Sequence, residues 1–243
     1  FDARQVGLFI DGIPVYVPYD GSVDLNRFTT ADLAAIQVAK GFSSIAYGPN
    51  TLGGAINLIS RKPKTAFEGD ASVGMASGGE RQASVNIGTQ QGQWYLQAGA
   101  SYIQSDGFPL SADFAPTTTE DGGARNNAYR KDSKVSLKVG VTPNTTDEYA
   151  LSYYQQNGQK GQPPSTVPAS ARYWQWPYWN KESLYYVSKT ALGNALTLKL
   201  RLYQDGFDNA INMYKDASYT ALTTGGTGPS VYHDKTVGGS IEL

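Results

Sequence analysis

The chain of 243 residues carries 20 Lys and Arg against 21 Asp and Glu, a net charge of −1 without a run of either sign, so it offers no electrostatic footprint for nucleic acid. With 40% hydrophobic residues, a mean hydropathy of −0.39 and only short apolar runs, it lacks the roughly 20-residue apolar stretch of a membrane-spanning helix. A membrane β-barrel stays compatible, because its strands alternate lipid-facing and lumen-facing side chains. The lack of cysteine removes disulfides and thiolate metal sites.

Phe1 opens the chain without a Met or a targeting segment, which predicts a fragment or a processed product. The first element is a hairpin: "VGLFIDGIPVYV" (6–17) sets Asp11-Gly12 between two apolar strands. "TTADLAAI" (29–36), with Thr29 followed three residues later by Asp32, reads as the capped start of a short helix. "IQV" and "AINLIS" read as strands on either side of a glycine-rich stretch. Together these elements make a small α+β unit with little core of its own.

From Phe67 onward the pattern becomes period-two alternation over segments of about ten residues, each ended by turn residues. Eight segments are predicted, at 67–76, 80–91, 93–105, 130–142, 148–158, 181–192, 195–207 and 232–243. Val135, Leu137, Val139 and Val141 share one face against Ser136, Lys138, Gly140 and Thr142. Leu196, Leu198, Leu200 and Leu202 oppose Thr197, Lys199 and Arg201. Such alternation also suits a soluble sandwich. Connections are short at 91–93, 144–147 and 193–194 and long at 106–129, 159–180 and 208–231, with 77–80 the one short exception among the latter set. That asymmetry is the one seen in outer-membrane barrels. Trp94, Tyr102, Tyr149, Tyr153, Tyr154, Tyr185, Tyr186 and Tyr203 are candidates for interfacial girdles.

The stretch 36–63, "IQVAKGFSSIAYGPNTLGGAINLISRKP", resembles the plug-domain signature of TonB-dependent outer-membrane receptors, a V-E-V-x-R-G-P-x-S-x-x-Y-G pattern followed by Gly-Gly, an I-N-(I/L)-(I/V) strand and a basic-Pro exit. The "IDG" hairpin (10–12) and "YIQSDGF" (102–108) resemble further segments of the same family. Lys40, Gly41, Ser44, Tyr47, Gly48, Gly53, Gly54 and Asn57 carry the motif. Lys40 stands where the family has Arg, and Phe42 where it has Pro. Lys keeps the charge but loses the bidentate fork of Arg, so a carboxylate partner on the barrel is held less firmly. The glycines free the backbone to turn, and Pro63 ends the exit strand by supplying no amide hydrogen. A phosphate loop is disfavoured, since no Gly-Lys-Ser/Thr ending follows.

The resemblance implies a mainly β fold: residues 1–63 as the C-terminal half of an α+β plug, and 64–243 as about eight strands of a transmembrane antiparallel β-barrel of about 22. It implies a place in the outer membrane in contact with its lipid, and import of a ferric siderophore driven through TonB. It implies no catalysis and no cofactor. The first plug half and the TonB-contact segment are expected to lie outside these residues. Cobalamin, haem or a saccharide is the alternative cargo, a passive barrel is less consistent with residues 36–63, and one His argues against a hydrolase. Direct capture of a bare metal would want Met, Cys or His, whereas a preformed chelate needs only aromatic and polar surface. Candidate ligand contacts are Arg172, Tyr173, Trp174, Trp176, Tyr178 and Trp179 in "QPPSTVPASARYWQWPYWN" (162–180), with Tyr16, Tyr19 and Asp20 of the apical plug loop. His233 is expected to be an ordinary polar strand residue.

Overall fold

The computed structural model describes residues 5–41, 51–223 and 228–243. Asp11 (φ 51°) and Gly12 (φ 82°) take the positive angles that a two-residue hairpin turn demands, joining β1 (Val6–Ile10) to β2 (Ile13–Val15). With β3 (Leu33–Lys40) and β4 (Gly54–Ser60) they form a four-stranded sheet in the order β2-β1-β4-β3, in which β1 and β4 run parallel.

The helix expected over 29–36 does not form. Residues 33–40 pair antiparallel with β4, from Leu33 opposite Ser60 to Lys40 opposite Gly54. Asp32 does not close a capping box, because its carboxylate meets Lys134 Nζ at 2.8 Å while the Thr29 hydroxyl lies 3.1 Å from that of Ser101. Tertiary partners and a free sheet edge override a weak local signal. In place of that helix the described residues hold a 3-10 turn, Leu25–Arg27, whose N-cap Asp24 accepts from the Asn26 amide.

Eight further strands form one antiparallel sheet in sequential order: β5 (Glu68–Ala76), β6 (Glu80–Gln91), β7 (Trp94–Ser105), β8 (Arg130–Val141), β9 (Glu148–Gly161), β10 (Tyr173–Leu192), β11 (Leu196–Tyr214) and β12 (Ser230–Glu242). Six match the predicted segments closely. β10 and β11 are longer, at 20 and 19 residues, so 173–180 is strand and not loop, and the outer connections shrink to 162–172 and 215–229. Aromatic and β-branched residues favour extended backbone, and a strand needs only about 9–11 residues to cross a membrane. The excess stands clear at the long-loop end.

The polarity of this wall is inverted relative to a soluble sheet. Leu137, Leu151, Leu184 and Leu202 on its outer face are all more than 45% exposed, whereas Asp132, Lys134, Gln156, Lys181 and Ser183 on the inner face are at most 7% exposed. Charged side chains are that buried only when paired, and apolar ones that exposed suit lipid. The four-stranded sheet seats against this inner face. Leu8, Ile10, Ile13, Val15 and Leu58 share a buried cluster with Tyr154 and Tyr185 of the wall. Those two tyrosines, and Tyr203 which packs on the same cluster, therefore leave the girdle assigned from sequence: they fall on the inner parity of β9, β10 and β11, whereas Trp94, 60% exposed at the start of β7, faces out.

Candidate functional site

Strand β8 is the rail on which the N-terminal sheet docks. Its inner face presents Arg130, Asp132, Lys134 and Lys138 at alternate positions, because period-two geometry puts every second residue on one side. Each finds a partner in the N-terminal unit: Arg130 Nη1 donates to the Asn26 carbonyl at 3.0 Å, Asp132 faces Arg27 at 3.4 Å, Lys134 meets Asp32 at 2.8 Å and Lys138 meets Asp11 at 2.9 Å. Lys160 on β9 pairs with Asp24.

Asp11 is the centre of this belt. Its carboxylate accepts from Ser60 N at 2.9 Å and Ser60 Oγ at 2.5 Å, from Lys138 Nζ at 2.9 Å and from Tyr185 OH at 2.8 Å. Burial pushes the carboxyl up, but Lys138 and the Ser60 hydrogen bonds outweigh it, and the net shift is downward. The turn that a hairpin needs thus also delivers a carboxylate to the wall. Asn57 braces that turn: its Oδ1 accepts from Gly12 N at 3.0 Å and its Nδ2 donates to Gln37 at 3.3 Å.

Arg27 is 1% exposed and paired with an equally buried Asp132. Its guanidinium lies 4.9 Å from the Trp179 ring centre, and Nη2 donates to the Trp179 carbonyl at 3.4 Å. Gln156 Nε2 donates to the Arg27 carbonyl. Among the described residues, Nε and Nη1 find no hydrogen-bond acceptor, and burial lowers the guanidinium against the opposing pull of Asp132 and Asp24. Gly158 makes the passage possible, since a Cβ there would lie 2.2 Å from Nη2 and 2.3 Å from Asp132 Oδ1.

The motif residues have separate duties. Gly54 (φ 133°) admits no Cβ, which would sit 2.4 Å from the Ala39 carbonyl. Gly53 N donates to the Gln5 carbonyl at 2.9 Å, and Gly41 (φ 78°) ends β3. Lys40 is exposed and makes no ion pair among the described residues. Ser44, Tyr47 and Gly48 lie outside the described residues. The basic exit is tied down by Arg61 to Asp70 and by Lys62 to Glu148 at 3.0 Å, Glu148 also accepting from Tyr95 OH at 2.6 Å. Pro63 is fully buried.

At the long-loop end a cavity of about 580 Å³ opens over the 3-10 turn. Its lining holds three cations, Arg27, Arg130 and Lys160, against one acid, Glu80, with Phe108 and Tyr129 as apolar walls. The sequence-predicted contacts gather beside it and not in its lining. Arg172 lies 4.8 Å over the Trp174 ring, Trp174 and Trp176 meet edge-on at 6.3 Å, and Lys160 lies 5.0 Å over Trp176. Tyr173 packs on Tyr219, and Tyr178 is half-buried on β10. Trp179 is 6% exposed, wedged against Phe207 and Val17, so it serves packing. Tyr16 and Tyr19 are 37% and 40% exposed. Tyr19 stacks on Tyr232 at 4.0 Å and accepts from Asn209, and Asp20 accepts from the Ser22 amide and hydroxyl, which shapes the loop. His233, exposed and 2.6 Å from Asp208, is the polar strand residue expected. The docking residues Arg130, Asp132, Lys134, Lys138 and Lys160 went unassigned in the sequence; the alternation of charge on the inner parity of β8 was the available signal.

A family model for the TonB-dependent receptor plug domain matches residues 1–55. Among solved structures, the copper transporter OprC superposes with a TM-score of 0.79 at 15% identity, over 99% of this chain and 36% of that one. The FrpB iron transporter from Neisseria meningitidis gives 0.71 at 14% identity, over 98% and 38%. The siderophore receptor PirA from Acinetobacter baumannii gives 0.68 at 13%, over 96% and 36%. Identities this low establish likeness of fold, and the chain spans about a third of the length of each.

Proposed function

Since the chain carries the plug domain of the TonB-dependent receptors on a wall with the fold of their barrels, we propose that it belongs to an outer-membrane receptor that captures a ferric siderophore and imports it with energy from TonB. One observation carries the choice of cargo: the cavity over the plug tip is lined by three cations and one acid, beside a rim of Arg172, Tyr173, Trp174, Trp176 and Tyr178. An anionic chelate brings its own metal ligands and needs from the protein positive charge and aromatic surface. Tyr16 and Tyr19, on the loop after β2 and outside the lining of that cavity, are offered as further contacts. Binding works on the plug by favouring one of its arrangements in the barrel, and no bond is made or broken. The test is growth of a deletion strain complemented with the full receptor, on individual ferric siderophores as sole iron source. Gene-dependent growth on at least one is expected, and Arg130→Ala should weaken it. Growth dependence on cobalamin or haem alone overturns the siderophore assignment.

A further inference from the structure

The wall has an outward side that the docked sheet never touches. Its outward positions are apolar from 83 to 87 on β6, from 96 to 100 on β7 and from 135 to 139 on β8. The lower edge of this band is the row Gln91, Trp94 and Val141, paired in register beside the short turns. Ten residues further up each strand stands a second row, Arg81, Gln104 and Lys131, again paired in register. At about 3.3 Å per residue and a tilt of about 40°, that stretch climbs about 25 Å, the height of the lipid-facing band of an outer-membrane barrel. The second row therefore lies where lipid tails give way to headgroups, at the long-loop end. All three strands have both sheet neighbours in place, and parity along the ladder sets the outward direction.

Two cations of this row lack a counter-charge. Inward-facing Arg130, Lys134, Lys138, Lys160 and Lys181 each have a carboxylate partner. Arg81 and Lys131 have none among the described residues, and no outward position of β6 to β9 is Asp or Glu. Two such cations on strands about 10 Å apart repel each other until an anion joins them. Between them, Gln104 Oε1 accepts from Tyr102 OH at 2.6 Å, which commits the oxygen and leaves the amide NH2 as a donor. Lys131 Nζ lies 5.9 Å over the Tyr102 ring, which holds the ammonium on the same side. Three donors in one row, two of them charged, suit a phosphate, whose oxygens accept. An amine headgroup would find no carboxylate there.

We propose that Arg81, Gln104 and Lys131 form a binding site for the phosphate of an outer-leaflet lipid headgroup, whose acyl chains lie along the apolar band below. This rests on the outer-membrane reading and deepens it.

The test titrates the full receptor, purified in a non-ionic detergent, with bisphosphoryl lipid A and reads bound lipid by native mass spectrometry. Binding should weaken about thirtyfold in Arg81→Gln/Lys131→Gln, the loss of two cations at a lipid surface. Lys64→Gln, an exposed lysine ahead of β5, should bind as the unmodified receptor does. Removing both phosphates from the glycolipid should weaken its binding to the unmodified receptor by a similar factor, a comparison that needs no variant to fold. A change below about threefold in either comparison overturns the proposal. Displacement of the lipid by an equal concentration of inorganic phosphate also overturns it, since the site would then belong to a free anion. Fractionation that finds the full receptor outside the outer membrane overturns the outer-membrane reading, whereas a receptor found there without phosphate-dependent lipid binding overturns this site alone.

Discussion

Replacing Asp11 by Ala removes four hydrogen bonds at once and leaves the Lys138 ammonium, only 12% exposed, without its carboxylate and the Tyr185 hydroxyl with only Ser152 beside it. Stranding one partner of a buried pair costs about 3–5 kcal/mol, and that figure already contains the lost hydrogen bonds to the same carboxylate. Adding Lys138→Met removes the stranded charge and fills its space, so the double variant should recover about 2 kcal/mol of the loss. The assay is amide hydrogen exchange in β1 and β4 of the full receptor in lipid. A loss of about 3 kcal/mol lowers protection there by about a hundredfold if these amides open with the plug. Strands β10 and β11, held by the wall's own ladder, should keep theirs. A loss below about 1 kcal/mol, or a double variant no better than Asp11→Ala, refutes the reasoning.

The same carboxylate gives a pH dependence. Asp11 sits below its ordinary value of 3.8 in the folded protein, so its contribution is complete above that value and lost as pH falls through the lower folded one. Protection of β1 should therefore hold from neutral down to about pH 4 and fall below it, and in Asp11→Asn that step should vanish. Gly158→Ala drives a methyl group to 2.2 Å from Arg27 Nη2, which should cost about 1–3 kcal/mol and expose the 25–27 turn to protease. Leu137→Arg, placed on the outward face of β8 where Leu137 is 46% exposed, should destabilise the barrel in bilayers by about 2–4 kcal/mol, read by heat-modifiability on gels. Ser136→Ala, on the inner parity of that strand, should not.

The wall was legible because its signal is local. Alternation in "SKVSLKVGVT" is a property of adjacent residues, and the strand it predicted is β8 almost to the residue. The N-terminal helix was misread for the converse reason: Thr29 and Asp32 look like a cap in isolation, but their partners Ser101 and Lys134 are distant in sequence and in another element. The upper half of β10 does not read as strand from sequence, because Pro177 and a crowd of aromatics break strict alternation, and the register shift between Gln175 and Tyr178 is where it breaks. The docking belt was invisible as a set. Asp11 and Lys138 are 127 positions apart, and only the folded register says which of many lysines meets which acid. Asn57 was picked out by resemblance, while its duty, bracing the Asp11-Gly12 turn, needed coordinates.

The plug borrows its interior. Two of the seven buried members of its hydrophobic cluster, Tyr154 and Tyr185, belong to the surrounding wall. Moving the four-stranded sheet off this wall therefore bares apolar surface on both partners, a cost that adds to parting the Asp11–Lys138 and Asp32–Lys134 pairs.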